Sequence, residues 1–511
     1  MTERDGPANV LFVVMDTVRK DRLSVYGHDR PTTPGLETFA DDAAVYEGAV
    51  APAPWTLPSH ASMFTGLYPT EHGASQERPY LEDATTLAES LSAAGYDTAC
   101  YSSNAWITPY THLTDGFDDQ DNFFQVMPGD FLSGALAGIW KRMNDSDRLR
   151  GLADTLVDFG NRIHERFAGS ESEDSKTPHI VDRTKDFIDD SDDFFAFVNL
   201  MDAHLPYYPP EEYREEFAPG VDSTAVCQNS KEYNSGARDI DDEEWDAIRG
   251  LYDAEIRHID DNLRELFDWM QAEGHWEDTM VVVTSDHGEL FGEHDLYGHE
   301  FCIYDPLVNV PCMVKHPDLD AGRHDYQFEL QDLYHTVLDA TGAEAAEGGV
   351  PVNPARSLLR DQHRDFEAVD APEAPPAGGD LAPGDLAYVD YTRPVVELNQ
   401  LENKAAAAGI ELDEQSRFYS RMRAARTLEG KYIENERIPD EFYRIDEDPG
   451  ETDDRHGEGD PLEADLQDAL VAYADRVGRW ESEGERPGDE EALDHMDEEA
   501  RERLQDLGYI D

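Results

Sequence analysis

Residues 10–16 read Val10-Leu11-Phe12-Val13-Val14-Met15-Asp16. An unbroken apolar run of this length, without alternation, suits a strand covered on both faces, as in a parallel sheet between layers of helices. The run stops at an acid. Phe194 to Met201 repeats the pattern and ends at Asp202; Met280 to Thr284 repeats it again, followed by Ser285 and Asp286. Helical patterns lie between. Thr85 to Ala94 reads as a helix closed by Gly95, and Tyr96 to Tyr101 as the next strand. Ile256, Ile259, Leu263, Phe267 and Met270 recur at helical spacing before the third run. This alternation predicts the α/β class: a mostly parallel sheet flanked by helices. Ligands of such sheets bind beyond the carboxyl ends of the strands. One Asp there is an ordinary turn residue. Three of them on one edge point to a shared metal site.

The 511 residues carry 41 Lys+Arg against 113 Asp+Glu, a formal charge of −72. That charge repels nucleic acid and anionic membrane surfaces and excludes both as default partners. Aromatic residues at 10 % are too many for a disordered acidic polymer. Most of the basic residues are Arg. Surplus carboxylates with few lysines match the composition of salt-in halophiles and lead us to expect a haloarchaeal source. Self-repulsion at this charge is screened in molar salt, where the Debye length falls to about 3 Å. Cys100, Cys227, Cys302 and Cys312 form no CxxC pair, so neither a disulfide framework nor a zinc knuckle is expected. Met1 to Asn9 is polar, and no apolar run approaches the ~20 residues that span a bilayer. A soluble, cytoplasmic protein is expected.

Four regions are expected: a catalytic α/β unit over 1–347 with a helical insertion at 117–190, an acidic Pro/Gly-rich linker and loop region at 348–415, a small C-terminal α+β subdomain at 416–480, and an acidic tail at 481–511. Asp147 to Phe167 reads as helix within the insertion. Ala424 to Ile433 and Glu441 to Ile445 read as strands of the subdomain.

Ala53-Pro54-Trp55-Thr56-Leu57-Pro58-Ser59-His60-Ala61 carries the chemistry. Pro58 suits the first turn of a helix, and Thr56 lies just before it. A hydroxyl there is either a plain N-cap or a group facing unpaired N–H donors, which favour an anion and a developing alkoxide.

The segment resembles the sulfatase signature C/S-x-P-S-R, and Thr65-Gly66-Leu67-Tyr68-Pro69 resembles the T-G-xx-P element behind it. Asp16 to Asp21, Asp202-Ala203-His204-Leu205-Pro206-Tyr207, Ser285-Asp286-His287-Gly288-Glu289, Gly298-His299, Arg426 to Tyr432 and Tyr443 to Glu451 are similar, in chain order, to further elements of that family. The chain is thereby identified as a member of the sulfatase family of the alkaline phosphatase superfamily. The resemblance implies an alkaline-phosphatase-like fold and hydrolysis of sulfate or phosphate esters. It also implies a site with Thr56, His204 and His299 as catalytic groups and Asp16, Thr56, Asp286 and His287 as metal ligands. Asp202, His204 and His299 are the alternative ligands of a second cation. The departures matter as well. Thr56 stands where sulfatases carry the Cys or Ser oxidised to formylglycine, so no formylglycine is expected. His60 replaces the basic residue closing the signature, Thr17 replaces the second Asp of the first strand, and His299 replaces a Lys.

The chemistry also follows from the residues. A phosphate or sulfate ester resists attack because its oxygens are negative; a divalent cation neutralises them and lowers the pKa of a coordinated hydroxyl. Thr56 would attack and form a covalent ester that water cleaves. The Asp/His mixture suits Mn²⁺ or Zn²⁺, with Ca²⁺ or Mg²⁺ as alternatives. The expected substrate is a small-molecule, glycan or lipid ester. The competing reading is a phospho-alcohol transferase that passes the covalent group to a glycan or lipid acceptor.

Overall fold

The computed structural model describes residues 9–122, 175–360, 363–366 and 376–479. The helix expected at Asp147 to Phe167, most of the 117–190 insertion and the 481–511 tail lie outside them. Strands β1 (Asn9–Met15), β2 (Ala44–Val50), β3 (Asp97–Ser102), β4 (Asp119–Asn122), β5 (Phe194–Leu200) and β6 (Thr279–Thr284) appear in chain order. A small ribbon of β7 (Leu290–Phe291) and β8 (Tyr297–Gly298) follows, and then β9 (Asn309–Lys315) and β10 (Gly322–Glu329). The main sheet has the order β10-β2-β9-β6-β1-β5-β3-β4. Only β9 runs against its neighbours β2 and β6; the other pairs are parallel.

β1 sits near the middle and explains the unbroken apolar run. Val10, Phe12 and Val14 face one layer, with Leu57, Met63 and Phe64; Leu11, Val13 and Met15 face the other, with Ile256, Leu263 and Met270. Every β1 side chain is buried. Each such apolar residue contributes roughly 1.5–3 kcal/mol by leaving water. The helical spacing near Ile256 belongs to a longer helix, Asp242–Glu273, started by an Asp241 side chain that accepts from Glu244 N–H and closed by Gly274. Part of the expected insertion is also core: the helix Thr177–Asp190 buries Ile180, Val181, Phe187 and Ile188.

The C-terminal sheet is antiparallel, with β11 (Ala387–Tyr391), β12 (Met422–Arg426), β13 (Lys431–Asn435) and β14 (Glu441–Tyr443). Ala424 to Ile433 is therefore two strands. The Thr427 hydroxyl accepts from Glu429 N–H and Gly430 N–H and turns the chain between them. The 348–415 region is not only linker. It supplies β11 and the helix Val395–Ala408, whose Val396, Leu398 and Leu401 are buried. The Pro/Gly-rich composition masked these elements.

A buried charge cluster fastens this subdomain to the main sheet. Asp305, just before β9, accepts from Arg426 Nε at 3.0 Å and Nη2 at 2.7 Å and from Lys431 Nζ at 3.1 Å. Lys431 also pairs with Glu451 at 2.8 Å, and the Glu451 carboxylate accepts from Asp305 N–H at 2.6 Å.

Candidate active site and metal centre

The carboxyl edge of the main sheet gathers the acids that end β1 and β6. Asp16 follows β1; Asp286 and His287 follow β6. One donor atom from each lies within 4.8 Å of the others, and all three residues are buried. The turn holding the second pair is tightly built. Ser285 Oγ donates to His287 O at 2.6 Å and accepts from Val18 N–H at 3.0 Å. Gly288 is required there, because a Cβ would meet Pro306 O at 2.0 Å. Thr17 N–H donates to Asp286 Oδ1 at 3.2 Å, and to do so Thr17 adopts φ 58°. That is a strained conformation for a β-branched residue. The hydroxyl of Tyr252 holds it by donating to Thr17 O at 2.7 Å.

Thr56 opens the helix Thr56–Thr65. Trp55, in extended conformation, takes the N-cap position without a side-chain cap bond. The N-cap reading of Thr56 is thereby corrected: it is the first helical residue, 4 % exposed, with its hydroxyl against the Asp286 carboxylate. Asn104 Nδ2 bridges hydroxyl and acid, donating to Asp16 Oδ2 at 2.7 Å and to Thr56 Oγ1 at 3.3 Å. Asn199 Nδ2 adds a bond to Asp16 Oδ2 at 3.2 Å.

Burial is the main cause that pushes Asp16 up to about 6 and Asp286 up to about 7, with the two carboxylates repelling each other as a further cause at Asp16. Among the described residues, neither is ion-paired to Arg or Lys. Burial pushes His287 down to about 4, so its imidazole is neutral. His287 Nδ1 donates to Gly288 O at 3.0 Å, which leaves Nε2 as the lone-pair nitrogen. Asp16 Oδ1, Asp286 Oδ2 and His287 Nε2 are buried without a hydrogen-bond partner. Two carboxylate oxygens and one imidazole nitrogen, orphaned together, fit a divalent cation.

His60 lies beneath this centre. It donates from Nδ1 to Thr56 O at 2.9 Å, packs against Phe64 and Phe197, and is pushed by burial down to about 3. It brings no positive charge to the position of the family's basic residue.

A cavity of about 440 Å³ opens over Thr56 and is lined also by Asn104, His204 and His299. The rings of His204 and His299 are 5.3 Å apart, and those of His287 and His299 4.5 Å. His204 Nδ1 donates to Leu205 O at 2.6 Å; His299 Nδ1 faces the buried Glu289 Oε1 at 3.2 Å. Burial lowers both imidazoles, His299 to about 4.

Asp202 does not join the centre. Although it follows β5 as Asp16 follows β1, its carboxylate accepts from the hydroxyls of Ser175 and Thr177, at the start of the helix Thr177–Asp190, and lies 3.7 Å from His258 Nε2. The side chain turns back toward that helix, so the second cation site with His204 and His299 loses its acid. Reasoning from sequence missed Asn104, Asn199, Glu289 and Lys231, the last of which lines the cavity. A signal existed for Asn199, an amide inside the apolar run of β5, and for Asn104, just past the end of β3.

Sheet order, strand-end acids and a hydroxyl at a helix start define an alkaline-phosphatase-like α/β hydrolase. The Sulfatase family model matches residues 8–343. The chain belongs to the sulfatase family, and its reaction class is the hydrolysis of sulfate or phosphate esters. It is 25 % identical over 394 residues to the ulvan-active sulfatase of Formosa agariphila, covering 74 % of this chain and 70 % of that one. It is 25 % identical over 375 residues to the arylsulfatase of Clostridium perfringens, covering 65 % and 74 %. The crystal structure of the phosphonate monoester hydrolase of Agrobacterium radiobacter superposes with a TM-score of 0.64 at 19 % identity, over 92 % of this chain and 96 % of that one, and shows the shared fold. Among the described residues, no helix is long and apolar enough to cross a membrane.

Proposed function

We propose that the protein hydrolyses phosphoesters in preference to sulfate monoesters, through a covalent ester of unmodified Thr56. The observation that carries this reading is the trio of orphaned donors on Asp16, Asp286 and His287, with the Thr56 hydroxyl beside it. A divalent cation held by these residues would neutralise ester oxygens and favour the Thr56 alkoxide. Asn104 fixes Thr56 Oγ1 against Asp16 and so sets the line of attack. Thr56 Oγ bonds to phosphorus as the bond to the departing alcohol breaks, and that alcohol leaves with a proton. Water then attacks the phospho-threonine, releases phosphate and restores the hydroxyl.

His204 and His299 have Nδ1 committed and Nε2 left for the substrate. An anion in the cavity favours their protonated forms, so each can hold a proton at Nε2 and pass it to the alcohol. Thr56 lacks the second hydroxyl of an aldehyde hydrate, which would help to expel sulfate by elimination. A plain alcohol depends on water attack, which suits phosphoryl chemistry. We read the acidic composition as that of a protein working in the salt-rich cytoplasm of a haloarchaeon, so assays belong in molar KCl.

The test is peptide mass after rapid quenching, together with kinetics on matched phosphate and sulfate esters. Thr56 should carry the transferred group. Thr56→Ala should lower kcat by several powers of ten, and Thr56→Ser should keep part of the activity. Turnover undiminished in Thr56→Ala would place the nucleophile elsewhere.

A further inference from the structure

The cavity has two unlike sides. Thr56, Asn104, His204 and His299 form the reacting side. Lys231, Glu300 and Glu397 line it further out, with Trp55 and Trp106 also in the wall. Lys231 Nζ is bonded to Glu300 Oε1, and the two side chains are only 15 % and 7 % exposed, so the charge of this lysine is matched. Glu397 is the second carboxylate in the field of Lys231. Its orientation follows from its neighbour. Val396 N–H donates to Gln76 Oε1 at 2.8 Å, which fixes the amide so that Nε2 points at Glu397 Oε2. That oxygen must accept. Among the described residues, no ion pair is made by Glu397. Burial pushes the Glu397 carboxyl up, and two acids against one ammonium leave this side able to take one further positive charge, which would hold Glu397 ionised.

Resting on the reading that this cavity binds the ester, we infer that the outer wall selects an ester whose alcohol carries a positive charge, with Glu397 as the counter-ion and the tryptophan rings as its bed. A cation beside aromatic faces and an unmatched carboxylate gains on both counts. An anionic alcohol, such as that of a multiply sulfated glycan, would meet two carboxylates in a poorly solvated wall. The volume of about 440 Å³ admits a small alcohol together with the transferred group. Glu397 stands on the helix Val395–Ala408, beyond the 8–343 stretch matched by the family model, whereas Lys231, Glu300, Trp55 and Trp106 lie within it.

The experiment uses three methylphosphate diesters in molar KCl with Mn²⁺. Their alcohols are choline, its uncharged isostere with tert-butyl in place of trimethylammonium, and a carboxylate of the same length. Wild type should prefer the choline ester over the neutral one in kcat/KM by roughly tenfold or more, with the carboxylate last. Glu397→Gln should bring the choline-to-neutral ratio close to unity. The ratio is taken within one protein, so a change in folding or metal loading moves both esters together. A wild-type ratio near unity, or one unchanged in Glu397→Gln, would overturn the inference. If no ester turns over, the Thr56 reading has failed, and binding decides the wall. Tryptophan fluorescence titrated with choline and with the isostere should favour choline in wild type and lose that preference in Glu397→Gln. Equal affinities in wild type would overturn it.

Discussion

Asp286 and Asp305 are both buried carboxylates behind neighbouring turns of one sheet, and their surroundings are opposite. Asp305 lies between Arg426 and Lys431, whose charges hold it well below the usual carboxylate range. Asp286 faces Asp16 and two neutral imidazoles, and burial pushes it up to about 7. Taking a charge out of water costs several kcal/mol. In the clamp, the chain's own cations offset that cost and lock the C-terminal sheet onto the catalytic one. At the strand ends, no Arg or Lys among the described residues offsets it, and hydrogen bonds do so only in part, one of them donated to Asp286 by the strained Thr17 backbone. A charge matched internally is structure; a charge left unmatched, with its lone pairs orphaned, is a place for a guest cation.

The largest effect on stability should come from the clamp. Asp305→Ala leaves Arg426 and Lys431 buried without their shared partner, and breaking such a cluster should destabilise the fold by about 3–5 kcal/mol. Denaturant unfolding in molar KCl measures this. A change under about 1 kcal/mol would erase the contrast between the two clusters.

A smaller effect of opposite sign is expected at the site. Asp16 and Asp286 have folded pKa values raised above 3.8, to about 6 and about 7. Their contribution to stability is therefore complete below pH 3.8 and is lost as pH rises through 6 to 7. Asp305 is depressed, so its contribution is present above 3.8 and is lost as pH falls. Chelated protein should thus melt lower at pH 8 than at pH 5. Asp286→Asn should flatten that slope and stabilise the metal-free protein at pH 8 by on the order of 1 kcal/mol. Thermal melts of chelated wild type and variant across this range check it. A loss of stability in Asp286→Asn as large as that in Asp305→Ala would make both clusters structural.

Much of this contrast was legible in the sequence, for a physical reason. Strands β1, β5 and β6 are buried on both faces, so their unbroken runs and terminal acids reported sheet position directly. The pattern could not tell Asp16 from Asp202. Both end a buried strand, but the direction of the side chain is set in the turn, where the hydroxyls of Ser175 and Thr177 draw Asp202 away. Asn104 carried no apolar signal of its own; only the adjacency of β3 and β5 brings it to Asp16. Glu397 and Lys231 line one cavity from helices far apart in the chain, and nothing local marks either one. β11 hid inside a Pro/Gly-rich stretch because a short strand needs partners that only the folded C-terminal sheet supplies.

The measurement closest to the central claim is the metal content of the purified protein. Wild type and Asp286→Asn would be equilibrated with Mn²⁺ or Zn²⁺ in molar KCl, freed of loose ions and analysed for metal per chain. Wild type should retain a single equivalent and Asp286→Asn should retain almost none, with the fold intact by circular dichroism. Equal metal in the two proteins, or none in wild type, would contradict the account.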